Sequence, residues 1–527
     1  MNDRAKVLVR EKIADGGIEM LKEKFDVDVD LEGDLSEKIG AYDAIIIRSA
    51  TKLTADLIEK GTRLRVIGRA GVGVDNVDVE AATRKGIIVA NAPDANTVST
   101  AEHTIALLMA LVRNIPQAYA ALKQGEWERS KWKGVELAGK TLGIIGLGKI
   151  GQQVARKAAG LGMRVIAFDP VVAKERFREL GVERMETIDD LYAEAEFITL
   201  HAPRTAETTG MLNKDAFAKM RDGVRIINAA RGALIVDDDL IEAVKSGKVA
   251  CAAIDVYAQE PYTGPLTEYP AIVVTPNLAA STGEAQERAG TDVAAQVAAA
   301  LEGELVTNAV NIPALREEDL AILGPFLPLA VKLGRLAMEL AGGRAEKIEV
   351  SYFGNMASYD TRLLTLAVLN GAFEQREEQP VNWVNARVIA EDRGIQVSEE
   401  SKPKSRDFTN LIRVRVLGDG SEVAVSGTTV GNEHRLWLAG ALGYELDIEL
   451  APLMVFVSYE DVPGQIGRLG AAFGDAGVNI ANMAVSRTRH GGTALMTLSI
   501  DTPAQLDLIE GIEKAGFPDA RFIDLGK

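Results

Sequence analysis

At 527 residues the chain exceeds a single hydrophobic core and is expected to divide into three or four domains. Apolar residues at 47% and charged residues at 26% are ordinary for a soluble globular protein, and no apolar run reaches the roughly 18 residues of a membrane span. The net charge of −17 argues against a nucleic-acid partner, and the single cysteine, Cys251, excludes a disulfide framework or a multi-cysteine metal site, so no metal is expected. Met1–Lys6 leads straight into a strand at Val7–Val9 with no signal peptide in view, so a cytoplasmic location is expected. With so acidic a chain, any anionic substrate must be caught by locally placed arginines.

In chain order, residues 1 to about 98 alternate short apolar strands with helical patterns: Ala44–Ile47, Leu64–Ile67 and Ile87–Val89 read as a small parallel βα unit. The run Val98–Ala121 carries few turn signals and is expected to be one long helix tying two lobes together. A strand then runs from Thr141 into Gly146-x-Gly148-x-x-Gly151, followed by a helix over Gln152–Gly162 and a strand Arg164–Phe168 ending on Asp169. A glycine-rich turn alone is weak evidence. A strand before it, a helix after it and an acid 18 residues beyond the last glycine together form the context of a dinucleotide site. The turn lets the backbone approach a pyrophosphate at a helix N-terminus, and Asp169 is suited to a ribose diol but not a 2′-phosphate, which favours NAD over NADP. Further apolar strands follow at Phe197–Leu200, Val224–Asn228, Val249–Ile254 and Ile272–Thr275. Both lobes are therefore read as doubly wound and Rossmann-like.

Beyond Asn311–Pro313 the pattern changes to longer alternating strands. Ile412–Val416 and Glu422–Val425 flank Gly418-Asp-Gly420 as an antiparallel hairpin. From Pro452 a βαββαβ pattern emerges: strand Leu453–Tyr459, helix Gln465–Ala476, strand Val478–Thr488, a turn at 490–492, strand Thr493–Ile500, helix Ala504–Ala515 and strand Arg521–Asp524.

Three segments at strand ends have residues fit for alcohol–ketone chemistry beside a nicotinamide. Asn228–Gly232 offers Arg231, whose fork can hold a carboxylate by two hydrogen bonds. Asp255–Pro261 offers Glu260, a carboxylate able to orient an acid/base group. Thr275–Gln286 is a strand, a proline and then a helix start.

These stretches, with Arg48–Thr51, Gly68–Asn76 and Asn91–Pro93, resemble the D-3-phosphoglycerate dehydrogenase family of NAD-dependent D-2-hydroxyacid dehydrogenases, in its long form. The likeness covers the whole chain. It implies a substrate-binding domain at 1–98 and 283–313, an NAD-binding Rossmann domain at 99–282, an α+β intervening domain at 314–450 and an ACT regulatory domain at 451–527. The implied reaction is NAD-dependent oxidation of 3-phospho-D-glycerate to 3-phosphooxypyruvate, the first step of L-serine biosynthesis, in a homo-oligomer taken as a tetramer.

The resemblance also assigns roles. Arg231 binds the carboxylate and polarises the carbonyl, and Glu260 supports the acid/base. Asp255 meets the nicotinamide carboxamide and Asp169 the adenine ribose. Gly146, Gly148, Lys149, Ile150 and Gly151 form the phosphate turn, and Ala202, Ala229 and Ala230 line the cofactor. Arg48 with the backbone at Gly71 and Gly73 holds the substrate, while Arg129 and Lys133 of a neighbouring subunit approach its phosphate. Tyr459, Asp461 and Asn479 match the positions that enclose L-serine between paired ACT domains.

One departure stands out. The family carries histidine where this chain has Asn277, and a carboxamide hydrogen-bonds but exchanges no proton near neutral pH. Of the four histidines, His434 and His490 fall in the C-terminal domains and His103 reads as structural. His201, beside the cofactor strands, is the one candidate for a proton relay through water. Two other readings follow: a different D-2-hydroxyacid dehydrogenase, or a feeble catalyst serving as a serine- or NAD-responsive binding protein.

Overall fold

The structure, a computed structural model, describes residues 4–313, 317–377, 380–487 and 492–526. His490 and most of the turn expected around it lie outside the described residues.

The first lobe is a five-stranded parallel sheet in the order Asp26–Val29, Lys6–Val9, Ala44–Ile47, Val66–Arg69, Ile88–Asn91. Ala44–Ile47 is buried at every position, as a strand covered on both faces must be. The chain returns to this lobe late. Helix Gly283–Glu302 packs against helix Asp15–Lys22 and strand Val66–Arg69, and Ala309 bridges to Ala90.

The second lobe is a seven-stranded parallel sheet: Ile272–Val274, Val249–Ile254, Val224–Asn228, Phe197–Leu200, Thr141–Ile145, Arg164–Phe168, Glu183–Arg184. The first strand of this lobe, Thr141–Ile145, lies inside the sheet, with the next strands added on one side and the later ones on the other. Strand order therefore reverses between Thr141–Ile145 and Phe197–Leu200. In a doubly wound sheet the ligand crevice opens at that switch point, beyond the carboxyl ends of the strands.

The expected single helix over 98–121 is two helices, Thr97–Val112 and Ile115–Lys123, bent by 61°. Pro116 explains the break. Inside a continuous helix its ring would strike the carbonyl of Val112. Instead Asn114 turns left-handed at φ 52°, and the Val112 carbonyl accepts the Val135 N–H at 2.9 Å.

The third unit is a six-stranded mixed sheet, Gln396–Lys402, Lys347–Gly354, Asn410–Gly418, Ser421–Val430, Arg435–Ala441, Tyr444–Glu449, with helices Leu327–Leu340 and Arg362–Phe373 against it. The stretch Asp319–Leu340 is long and apolar enough by composition to cross a membrane. Its Leu329, Leu333, Leu336 and Leu340 side chains are instead buried in this unit's core. The last unit has the expected βαββαβ order, its antiparallel sheet running Ile480–Arg487, Thr493–Ile500, Leu453–Glu460, Arg521–Asp524. It is no loose tail: Met454, Phe456, Leu495 and Ile523 join the core of the preceding unit. That unit in turn holds the first lobe through Asn382 Nδ2, which donates to the Gly86 carbonyl at 2.7 Å.

Candidate active site

Each glycine of the Gly146–Gly151 turn meets a different constraint. Gly146 has φ 92°, and a Cβ there would stand 2.5 Å from the His201 carbonyl oxygen. A Cβ on Gly151 would stand 2.2 Å from the Gly146 carbonyl oxygen, so helix Lys149–Gly160 seats on its strand only without a side chain. Around Gly148, at the helix N-cap, there is open space on the Cβ side. Open backbone at a helix start is what a pyrophosphate needs. Asp169 closes the turn: Oδ2 accepts from Leu147 N at 2.8 Å and Oδ1 from Val171 N and Val172 N at 2.9 and 3.1 Å. It is half-exposed, leaving carboxylate lone pairs for a diol. Lys149 crosses to the first lobe and pairs with Asp94. Ile150 is half-buried in the helix, Ala202 lies against Gly146, and Ala229 and Ala230 follow strand Val224–Asn228.

Between the lobes opens a cleft of about 610 Å³ whose lining includes Arg48, Arg69, Gly71, Glu260 and Asn277. Asn277 is held in the left-handed region at φ 54°, which asparagine tolerates, and its N–H donates to the Asp255 carbonyl at 2.8 Å. Its Nδ2 donates to both Glu260 oxygens at 3.2 and 3.0 Å. Glu260 thus grips the side chain that stands at the position of the family's imidazole. Beneath them Asp255 is fully buried, Oδ1 accepting from Thr275 Oγ1 and Leu278 N at 2.6 and 2.8 Å and Oδ2 from Ala279 N at 3.0 Å. Burial alone would raise its carboxyl, yet donation from His103, Leu278 and Thr275 draws it below the ordinary range.

Arg231 enters from the second lobe. The Asn228 side chain fixes its loop, accepting from Ala230 N at 3.0 Å and donating to the Arg231 carbonyl at 2.9 Å. The guanidinium reaches across so that a Cβ on Gly73 would stand 2.6 Å from its Nη2, and its Nε lies 3.3 Å from Asp75 Oδ2. Arg69 was absent from the sequence-based site and belongs in it. Its guanidinium is buried on the cleft, beside Arg231 and Arg48, and burial followed by those two cations lowers its pKa to about 10. A signal was present: Arg48, Arg69 and Arg231 all stand at the carboxyl end of a parallel strand.

The histidines sort by environment. His103 Nε2 lies 3.1 Å from Asp255 Oδ1, a buttress beneath the site. His201 Nε2 lies 3.0 Å from Thr199 Oγ1, and burial drives its pKa down to about 4. A neutral ring still carries one N–H, but its strand is two removed from the one carrying Asp255, about 10 Å away. The relay through His201 therefore has no support here. Arg129 and Lys133 are exposed on the loop after helix Ile115–Lys123, next to an apolar patch of Ile115, Tyr119, Leu122 and Trp127.

In the last unit Tyr459 is nearly buried, Asp461 Oδ2 lies 3.3 Å from Arg487 Nη1, and Asn479 Nδ2 donates to Asp501 Oδ2 at 2.7 Å. Glu460 pairs with Thr493 and Ile480 with Ile500, so Asp461 and Asn479 stand at opposite ends of strand Thr493–Ile500, roughly 24 Å apart. One chain does not bring them together.

Comparison with known proteins agrees with this architecture throughout. Residues 105–279 match the NAD binding domain of D-isomer specific 2-hydroxyacid dehydrogenases, 322–437 the D-3-phosphoglycerate dehydrogenase intervening domain and 453–517 the ACT domain. The D-3-phosphoglycerate dehydrogenase of Archaeoglobus fulgidus is 42% identical, the alignment covering 99% of this chain and 100% of that one. That of Bacillus subtilis is 39% identical over 99% of both. Among solved structures, a glyoxylate reductase from Paecilomyes thermophila aligns with TM-score 0.55 and 31% identity over 59% of this chain and 99% of its own. The D-lactate dehydrogenase of Aquifex aeolicus, complexed with NAD and lactic acid, aligns with TM-score 0.53 and 29% identity over 59% of this chain and 100% of its own. With such identity sustained from end to end, the chain belongs to the D-3-phosphoglycerate dehydrogenases.

Proposed function

We propose that this enzyme oxidises 3-phospho-D-glycerate to 3-phosphooxypyruvate with NAD, opening L-serine biosynthesis. The observation that carries the reading is a cleft lined by Arg48, Arg69, Asn277 and Glu260, with the Arg231 guanidinium close enough to Arg69 to lower its pKa. A substrate with an anion at each end needs cations at two places. Arg231 is assigned the carboxylate, with a paired hydrogen bond that also draws charge from the C2 oxygen. Arg48 and Arg69 are assigned the phosphate, and Arg69, already short of solvent and crowded by two cations, gains most from an anion. Bound NAD supplies the acceptor for the hydride leaving C2. Asn277 hydrogen-bonds the C2 oxygen without taking its proton, which passes to solvent water as the hydride leaves, while Glu260 fixes the carboxamide in place. Oxidation of 3-phospho-D-glycerate by NAD, with the keto product trapped, tests the assignment. Product formation supports it, and equal turnover of unphosphorylated D-glycerate would refute it.

The same geometry carries a cofactor prediction. Asp169→Asn keeps one acceptor oxygen, enough for the Val171 and Val172 amides at the expense of the Leu147 amide, and removes the charge that repels a 2′-phosphate. The NAD-over-NADP ratio of kcat/KM is expected to fall about tenfold or more. An unchanged ratio in steady-state assays would remove Asp169 from the ribose site.

For regulation, L-serine is proposed to bind between the ACT units of two subunits. Asp461 of one and Asn479 of the other would be joined across the pair, since a single chain holds them apart. Calorimetry with L-serine should show binding that Asn479→Ala weakens at least tenfold, from the lost hydrogen bonds to a charged carboxylate. Full affinity in that variant would discard the site. The exposed Ile115, Tyr119, Leu122 and Trp127 support a homo-oligomer, taken as a tetramer, with Arg129 and Lys133 brought to a neighbour's cleft. A cytoplasmic location is proposed with the biosynthetic role.

A further inference from the structure

Arg48 sits on no regular element. It follows strand Ala44–Ile47 in an open loop, where a long cation would ordinarily be free to wander. Two side chains hold that loop from opposite sides. Glu11, just past strand Lys6–Val9, accepts from Arg48 N and Thr51 N on Oε1 at 2.9 and 2.8 Å and from Ala50 N on Oε2 at 3.2 Å. Asn76 Nδ2 donates to the Arg48 and Thr51 carbonyls at 2.7 and 2.6 Å. One carboxylate and one amide thereby satisfy five backbone groups in a four-residue turn. The neighbouring Asp75 is the carboxylate 3.3 Å from Arg231 Nε. The segment 71–76 therefore touches the loop of Arg48 with one residue and the guanidinium of Arg231 with the next. Burial would raise the Glu11 carboxyl, but the N–H groups of Thr51 and Arg48 outweigh it and hold it below the ordinary range.

We propose that Glu11 and Asn76 are positioning residues that fix Arg48 relative to Arg231, and so give the enzyme its preference for a phosphorylated substrate over the unphosphorylated analogue. This rests on the function proposed above. Neither side chain touches substrate. Each acts through backbone that carries a substrate-binding arginine, so its loss should cost substrate discrimination before it costs chemistry or cofactor binding.

The test is steady-state reduction by the full-length enzyme of 3-phosphooxypyruvate and of 3-hydroxypyruvate, comparing the native chain with Glu11→Ala and Asn76→Ala. NADH affinity is measured separately by fluorescence. For both variants KM for 3-phosphooxypyruvate should rise about tenfold or more, the scale of lost hydrogen bonds to a charged group. KM for 3-hydroxypyruvate, NADH affinity and kcat should stay within about threefold. Asn76→Ala removes only two of the five bonds and keeps the inference testable where Glu11→Ala folds poorly. Unchanged KM in Asn76→Ala, or an equal rise for both substrates, overturns the inference while leaving the proposed function standing. A native chain that fails to reduce 3-phosphooxypyruvate overturns both.

Discussion

Replacing Asn277 by histidine is expected to raise kcat by about 10²-fold or more, because general acid–base help is typically worth about 10²–10⁴ in rate. The site is arranged to accept the ring. Histidine, like asparagine, is enriched in the left-handed region that residue 277 occupies at φ 54°. Glu260 already grips the side chain at this position with both oxygens, at 3.2 and 3.0 Å. An imidazole there would be oriented by the same carboxylate and would bring a titrating group near neutral pH. The gain should fall mainly on kcat, with KM changing less, because substrate is held chiefly by arginines from other strands. A pH–rate profile with an apparent pKa in the histidine range should accompany it. Stopped-flow and steady-state rates of the two forms decide the matter. An asparagine form as fast as the histidine form would show that residue 277 does not handle the proton.

Arg231→Ala should be the most damaging single change to substrate use. Two charge-assisted hydrogen bonds at about 1.5–3 kcal/mol each place the loss in kcat/KM at roughly 10²–10⁴-fold. Arg231→Lys should recover little, since an ammonium cannot reproduce the planar fork. NADH affinity should be nearly unchanged, because the phosphate turn at Gly146–Gly151 is built on a different strand, Thr141–Ile145. A lysine variant with near-native kcat/KM would mean that Arg231 contributes charge alone.

Much of this was legible in the chain because local chemistry and global fold agree. In the Gly146–Gly151 turn, Gly146 and Gly151 meet steric demands that only glycine answers, and the hairpin at 418–420 closes with Asp419 and Gly420 at φ 50° and 72°, a pair of positive angles that Asp-Gly favours. Edge strands were harder. Asp26–Val29 and Gln396–Lys402 are largely exposed and carry acids at alternate or successive positions, so their sequences resemble loops. Asn114–Pro116 was read through as helix because its neighbours on both sides are strong helix formers. Arg69 shared a strand-end position with Arg48 and Arg231 that went unused, whereas Glu11, an acid after a strand, becomes informative only when tertiary packing brings the 48–51 loop against it. Asp461 and Asn479 were expected to act across two chains, and the sheet register sets them at opposite ends of one strand.

The reading as a different D-2-hydroxyacid dehydrogenase is disfavoured by the intervening domain and by identity to D-3-phosphoglycerate dehydrogenases along the whole chain. The reading as a binding protein rests on Asn277 alone, and the remaining cleft is assembled for turnover. The most direct test is the rate at which the unmodified enzyme consumes NADH with 3-phosphooxypyruvate, set against 3-hydroxypyruvate at equal concentration. The arrangement of Arg48, Arg69 and Arg231 predicts measurable formation of 3-phospho-D-glycerate and a kcat/KM at least about 10²-fold higher for the phosphorylated substrate, as expected when a site built for an anion is offered none. NADH consumption that is absent with both, or equal for the two, would contradict it.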